Sequence, residues 1–366
     1  LRILLLGVLI ALLGITPLSK TVTDGFERVR RAQSASNPAE LADNLASIAE
    51  QQPWREGYWE AAGNAALAAN DFQSAGDYFS RAAAKGELSQ EGYLAWGDAD
   101  WQRESPQTAL QIWRIAGTIG VSPDVILQRQ AEVYRALGDD LALIDTLRSI
   151  LHSSPAISGA RPDVAALYHE LGLLLAAYFP ESAPAYLSQA IEFDPTLEPQ
   201  IRSLKFAIQR ALPQNDPIYQ FIESGRALAN LGHWDLAEKS FGNAVEHHPE
   251  YAEAWAYLGE ARQHTNSGGE PLLALQTAYG LDPESIAVNT FMAIYWQRQG
   301  EPELALTYLE TAVELDPRNP ALLVEIGNLV ALLGDLEAGQ DYYWQAIANS
   351  PNDPKFLREF LKFSIR

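Results

Sequence analysis

Residues 218–251 read IYQFIESGRALANLGHWDLAEKSFGNAVEHHPEY, and residues 252–285 read AEAWAYLGEARQHTNSGGEPLLALQTAYGLDPES. Laid one above the other, they place a large residue at Phe221 and Trp255 and a glycine four positions later at Gly225 and Gly259. Both close on a proline, Pro249 and Pro283. Segments starting at Ile286 and Pro320 continue the register, so four starts follow one another at intervals of 34 residues. A period of that length marks a stacked helical array, because each unit is one supersecondary element that cannot bury its apolar face alone.

Upstream the register returns at Glu56, Gln90 and Asp124, with a fainter start at Val22. A first helix in each unit carries the large residue and the glycine, as at Trp59 and Gly63, Tyr93 and Gly97, and Leu323 and Gly327. A second helix carries a small residue, a bulky one and an alanine: Ala75/Phe79/Ala82, Ala109/Trp113/Ala116, Ala237/Phe241/Ala244 and Ala305/Leu309/Ala312. Small residues let two helices approach closely, and bulky ones fill the space between them. The turns are Asn70-Asp71-Phe72, Gly138-Asp139-Asp140, Gly232-His233-Trp234, Gly300-Glu301-Pro302 and Gly334-Asp335-Leu336. Glycine there accepts the positive φ that ends a helix. A proline then closes the unit at Pro155, Pro195, Pro249, Pro283, Pro317 and Pro351, and the next helix has to begin afresh.

The pattern closely resembles the tetratricopeptide repeat. That resemblance implies an all-α fold, a right-handed α-solenoid of about nine helical hairpins without a β-sheet. Residues 20–157 form an N-terminal block and residues 218–353 a C-terminal block. Residues 158–217 leave the period: Tyr168, Gly172, Leu187, Ala190 and Pro195 fit one shortened repeat, an extra helix runs from about Glu198 to Leu212, and a break follows between Pro213 and Pro217. This stretch reads as a seam. Residues 354–366 read as a capping helix, with Phe356, Leu357, Phe360 and Leu361 along its buried face.

Residues 1–19 read as an N-terminal transmembrane or signal-anchor helix. Ile3 to Leu18 carry no charge, and at about 1.5 Å per residue they span roughly 24 Å of a hydrocarbon core about 30 Å thick. Arg2 precedes the run and no A-x-A-like cleavage site follows it, which favours an anchor over a cleaved signal peptide. A buried core helix would show a polar face, and this run has none. An Arg-led apolar run is the usual start of an export signal, so the solenoid is expected on the extracytoplasmic side. The cytoplasmic side is the alternative, since Lys20, Arg28, Arg30 and Arg31 follow the span.

Composition narrows the function. A formal net charge of -21 disfavours nucleic acid as a partner, because phosphate binding relies on clustered Lys and Arg. The chain has no cysteine, which removes disulfides, thiolate nucleophiles and cysteine-ligated metals. Gly268-Gly269 is not followed by Lys-Ser/Thr, so it is no phosphate loop, and neither Gly-x-Ser-x-Gly nor His-Glu-x-x-His occurs. His247 and His248 fall at a helix end, where capping suits them better than metal binding. No catalytic residue, metal ligand or cofactor is expected.

The resemblance further implies a concave groove, lined by the first helices, that holds other proteins. Groove positions in the first block are Glu60, Asn64, Asp98, Trp101 and Gln102. In the second block they are Arg226, Asn230, Glu260, His264, Gln297, Arg298 and Asn328. Asn64 and Asn328 match single positions of the clamp with which some family members hold a C-terminal carboxylate, but the accompanying lysines are missing. Trp59, Trp96, Trp113, Trp234, Trp255 and Trp296 fall at core positions, whereas Trp54 and Trp344 lie outside them. The expected function is a membrane-anchored scaffold for protein–protein interaction, an assembly or accessory subunit of a membrane complex. The alternative is the soluble tail of a larger membrane enzyme, such as an envelope polysaccharide polymerase or ligase.

Overall fold

The computed structural model describes Glu27, Arg30 and residues 37–153, 162–265 and 270–364. Among these residues there are nineteen α-helices and no strand. Ile3 to Leu18 lie outside the described residues, and no described helix is long and apolar enough to cross a membrane.

The chain divides after Ser154 into two compact units. The first contains α1 (Pro38–Gln51), α2 (Tyr58–Ala68), α3 (Phe72–Ala84), α4 (Gln90–Gln102), α5 (Pro106–Thr118), α6 (Pro123–Leu137) and α7 (Asp140–Ser153). The second begins with α8 (Pro162–Tyr178), α9 (Ala183–Phe193) and α10 (Glu198–Ala211). It continues with α11 (Pro217–Asn230), α12 (Trp234–His247), α13 (Ala252–His264), α14 (Pro271–Leu281), α15 (Ile286–Arg298) and α16 (Pro302–Leu315), then α17 (Pro320–Leu332), α18 (Leu336–Asn349) and α19 (Pro354–Ser364). Eight hairpins result among the described residues: α2/α3, α4/α5, α6/α7, α8/α9, α11/α12, α13/α14, α15/α16 and α17/α18. In the register of the repeat, α1 is the second helix of a further unit.

Six of the eight hairpins close on a glycine of the first helix, Gly63, Gly97, Gly172, Gly225, Gly259 and Gly327. A Cβ at Gly225 would stand 2.6 Å from the Phe241 ring, and one at Gly63 would stand 2.6 Å from Phe79. At Gly97 it would run into the Trp113 indole, and at Gly259 it would stand 2.7 Å from Leu275. The ring therefore lies where a side chain would otherwise be, and Phe79, Trp113 and Phe241 are all buried. Burying a residue of this size contributes about 1.5–3 kcal/mol. Where the glycine is replaced, the alanine is equally buried, as with Ala293 in the cluster of Leu309.

The turn repeats as strictly. Asn70, Glu104, Gly138, Gly232, Gly300 and Gly334 all have positive φ and occupy one register position. The next N–H donates five residues back, from Asp71 to the Ala66 carbonyl at 2.9 Å, from His233 to Leu228 at 3.0 Å and from Glu301 to Trp296 at 2.9 Å. That bond satisfies a carbonyl left over at the helix end. Asp71 then caps α3, its Oδ1 accepting from the Ser74 N–H at 3.1 Å, and hydrogen bonds from Ser74 hold its carboxyl below the usual value. At the end of three repeats of the second unit the residue before proline has left the helix, with φ of -140° at His248, -148° at Asp282 and -137° at Asp316. Steric conflict with the proline ring disfavours the helical alternative.

Two features depart from the expected organisation. In the stretch read as a seam, α10 covers most of the expected extra helix, yet the stacking does not pause there: α8 packs directly on α11 and α12. Ser224 Oγ donates to the Ala176 carbonyl, and Asn243 Nδ2 donates to the Ala177 carbonyl at 3.0 Å. The capping helix α19 does pack on α17 and α18, but through Phe356, Phe360 and Phe363. Leu357 and Leu361, expected on that face, are about half exposed at 48% and 52%. The 3.6-residue turn carries the rings of 356, 360 and 363 onto one stripe and leaves both leucines beside it.

Glu104 is a β-carbon-bearing residue in a left-handed turn where most repeats place glycine, at φ 55°. Replacing it with glycine relieves that strain at the cost of a freer unfolded chain. Glu104→Gly is expected to stabilise the protein by about 0.5–1 kcal/mol, read as a higher urea midpoint. An unchanged or lower midpoint would refute the strain argument.

Candidate protein-binding face

Within each unit the first helices of successive hairpins lie side by side, α2 on α4 in the first and α8 on α11, α13 and α15 in sequence in the second. In each unit they form a face of its own, and the positions expected to line a groove fall on these helices. The structure does not treat those positions alike.

In the first unit, Asp98, Trp101 and Gln102 come together around a hollow of about 410 Å³ completed by Leu67, Gln128, Arg129 and Glu132. Asp98 receives two parallel hydrogen bonds from Arg129, Nε to Oδ1 at 2.7 Å and Nη2 to Oδ2 at 3.0 Å. The hydrogen bond to Asp98 holds the Arg129 guanidinium above its ordinary value. Trp101 is half-buried, with one part in the apolar cluster of Trp113 and Val133 and another on the hollow. Leu67 and Trp101 supply the apolar part of the lining, and Asp98, Gln102, Gln128, Arg129 and Glu132 the polar part. Asn64 is exposed on α2 apart from this hollow. Glu60 is drawn away from it: its carboxylate accepts from the Ser89 hydroxyl and, at 2.9 Å, from the Ser89 N–H, at the start of α4.

In the second unit the charges are tied together. Glu260 accepts from Arg298 through both oxygens, Nη2 to Oε1 and Nη1 to Oε2, each at 2.9 Å. Gln263 Nε2 donates to the same carboxylate at 2.9 Å, and His264 Nε2 lies 3.1 Å from Oε1. The His264 ring is stacked on Trp234 at 3.7 Å. Arg226 is exposed, donates to the buried Glu223 at 2.7 Å and lies over the Tyr257 ring at 5.7 Å; Arg210 donates to the other oxygen of Glu223 at 2.6 Å. Asn230 is exposed and outside both groups. Of the seven expected residues, then, Glu260, His264 and Arg298 form one network.

Gln297 and Asn328 line a second hollow, of about 360 Å³, with Glu325, Leu332, Tyr343, Glu359, Lys362 and Phe363. Tyr343 donates its hydroxyl proton to Asn328 Oδ1 at 2.8 Å, which orients the amide. A narrow apolar slot adjoins it, walled by Ala293, Ile294, Leu309 and Leu329 and sharing Gln297 and Glu325 with the hollow. Glu325 reaches solvent, but the concave surroundings displace enough water to hold its carboxyl above the usual range, against the attraction of Lys355.

Sequence reasoning passed over Arg129, Arg210, Glu223, Glu325 and Lys362. One signal was present: Glu223 and Glu325 occupy the same register position, with Tyr257 and Phe291 between them at intervals of 34. Among the tryptophans, Trp59 and Trp113 are buried, while Trp96, Trp234, Trp255 and Trp296 are half-buried. Trp54 is 75% exposed, and Trp344 is exposed on one side while its ring meets Phe360 at 4.7 Å. His247 Nδ1 lies 2.8 Å from the Asn243 carbonyl, and His248 Nδ1 lies 3.1 Å from Glu250 Oε1. Among the described residues no three metal-ligating side chains come together.

The geometry defines a class first: a protein of stacked helical hairpins whose first helices lie side by side within each unit. Residues 222–286 and 293–354 match the family model described as tetratricopeptide repeat, so the second unit carries tetratricopeptide repeats over those residues. Among solved structures, a thermophilic TPR protein in Thermus thermophilus is 18% identical, over 55% of this chain and 100% of its own, with a TM-score of 0.39. A tetratricopeptide repeat protein from Parabacteroides merdae is 13% identical, over 77% of this chain and 97% of its own, with a TM-score of 0.34. YrrB, a TPR protein with an unusual peptide-binding site, is 18% identical over 53% of this chain and 90% of its own, with a TM-score of 0.33. No curated protein sequence matches significantly.

The Glu260 network makes a direct prediction. Its carboxylate side chain is 12% exposed and the Arg298 side chain 41%, so the pair stands at the edge of solvent and its contribution is discounted for screening. Arg298→Met is expected to lower stability by about 1–2 kcal/mol, because it leaves a largely buried carboxylate short of donors. The double variant Glu260→Gln, Arg298→Met should recover most of that loss. A double variant no more stable than the single one would show that packing rather than charge is at stake.

Proposed function

We propose that this protein is a scaffold that docks an extended segment of another protein along its first-helix face. We further propose that Ile3 to Leu18 hold it at a membrane on the extracytoplasmic side, as an assembly or accessory subunit of a membrane protein complex. The observation that carries the docking reading is the hollow of about 410 Å³ on the first unit, lined by Trp101 and Leu67 together with Gln102, Gln128 and Glu132. An apolar lining joined by polar groups is what a peptide side chain needs for both burial and orientation. The Asp98–Arg129 pair is already closed on itself, so it shapes the hollow without demanding a counter-charge. The anchor reading is supported by the uncharged run behind Arg2, and the acidic charge of -21 favours a protein over a nucleic acid as partner.

Affinity capture of the full chain from native membranes in mild detergent tests the docking reading. The proteins recovered with the parent chain should fall about tenfold in yield with Trp101→Ala, since truncating an aromatic anchor costs an interface about 1–3 kcal/mol. Equal recovery would show that the hollow is not the contact. Topology is tested separately: protease added to intact spheroplasts should digest the helical units while cytoplasmic markers stay whole, and protection until lysis would place them in the cytoplasm.

A further inference from the structure

Four carboxylates on the first helices invite comparison. Asp98 is matched by Arg129, Glu223 by Arg210 and Arg226, and Glu260 by Arg298. For Asp98 and Glu260 the arginine comes from the next first helix of the stack, α6 onto α4 and α15 onto α13. Glu325, on α17, has α19 as its next neighbour in that series, and α19 offers no arginine to it. Lys362 is engaged with Glu359 at 2.9 Å, Lys355 lies over the Phe356 ring at 5.8 Å, and Arg358 donates to the Pro354 carbonyl at 3.3 Å. Among the described residues Glu325 has neither an ion pair nor a hydrogen bond.

The surroundings add shape to that charge. Glu325 stands on the rim shared by the apolar slot of Ala293, Ile294, Leu309 and Leu329 and the polar hollow of Gln297, Asn328 and Lys362. The formal charges lining the hollow are those of Glu325, Glu359 and Lys362, one negative in excess, with Lys355 acting on Glu325 from beside it. A carboxylate is disfavoured there, because Glu325 and Glu359 would repel it and Lys362 already has its partner, although the Asn328 amide N–H alone would suit one. The slot, at about 10 Å³, is too small for a side chain, whereas the hollow of about 360 Å³ takes an aliphatic stem ending in a cation, with the stem against Leu332 and Phe363 and the head on Glu325.

We propose that this end of the second unit's first-helix face reads a lysine or arginine side chain of the docked partner, with Glu325 as its counter-ion and Gln297 Oε1 and the second lone pair of Asn328 Oδ1 as flanking acceptors. The inference rests on the docking reading above and names the chemistry of its occupant. The chain builds an arginine into each of the other three positions and leaves this one to be filled from outside.

The test is selection of random dodecapeptides displayed on phage against the immobilised full chain and, in parallel, its Glu325→Gln variant. Peptides enriched on the parent chain should share a lysine or arginine, and that shared residue should vanish on Glu325→Gln. The best peptide, made synthetically, should bind about tenfold more weakly to the variant, an advantage that shrinks as ionic strength rises. Glu325→Asp, which keeps the charge and withdraws it by one methylene, should retain part of the preference and guards against a fold defect in the glutamine variant. Enriched peptides without a basic residue, with an acidic one, or with a basic residue that Glu325→Gln leaves untouched, would overturn the assignment and leave docking intact. Enrichment of nothing over background on the parent chain would overturn docking and assignment together.

Discussion

The close approach of first helix to second, at a position without a side chain, is the constraint on which the rest depends. Gly63 beneath Phe79, Gly97 beneath Trp113 and Gly225 beneath Phe241 each let a ring fill the volume that a Cβ would claim. Close packing of that kind tolerates neither a gap nor an extra methyl group without cost. It fixes the distance between the two helices of each such hairpin. The left-handed turn residue and the non-helical residue before proline then fix where each helix stops and where the next starts. Because all three devices recur at one interval, the hairpins within each unit stack in register and their first helices lie side by side.

The face these helices form in each unit is polar, and the way its charges are handled separates architecture from binding. A carboxylate removed from water needs donors, and an arginine from the adjacent first helix supplies two in parallel at Asp98 and Glu260. Such pairs also couple neighbouring repeats, since each bond crosses from one hairpin to the next. Glu60 performs a similar task by capping the start of α4 through Ser89. Several residues that point along the groove by register are thus employed in holding it together. What remains for a partner is the space between them, in the hollow beside Trp101 and in the hollow beside Glu325.

The irregular stretch after the first unit illustrates how a repeat array absorbs an insertion. The helix α10 buries Ile201, Leu204, Ile208 and Ala211 against its neighbours, yet α8 keeps its place against α11. The buried hydroxyl of Ser224 finds its acceptor on α8, and so does the amide of Asn243. A helix can be added beside the stack without opening it, provided the polar groups at the joint are satisfied.

The hairpins were legible in the sequence because their causes are local. A glycine four residues after a large residue, a residue fit for positive φ in the turn, and a proline that forbids helix each act within a few positions of the chain. The repeat period, the all-helical class and the extra helix near Glu198 follow from such signals. The capping face did not, because Leu357 and Phe360 are equally apolar and only the angle at which α19 meets α18 decides which is covered. The binding face was legible as a set of positions and illegible as a set of roles. Glu260 and Asp98 looked like groove residues, and nothing in their own segments shows that Arg298, 38 residues on, and Arg129, 31 residues on, would close on them. Sequence alone determined where the helices run and which of their faces align. Tertiary structure alone decided which charges are matched within the chain, because pairing depends on side chains from different repeats meeting across space, and it left Glu325 without a match.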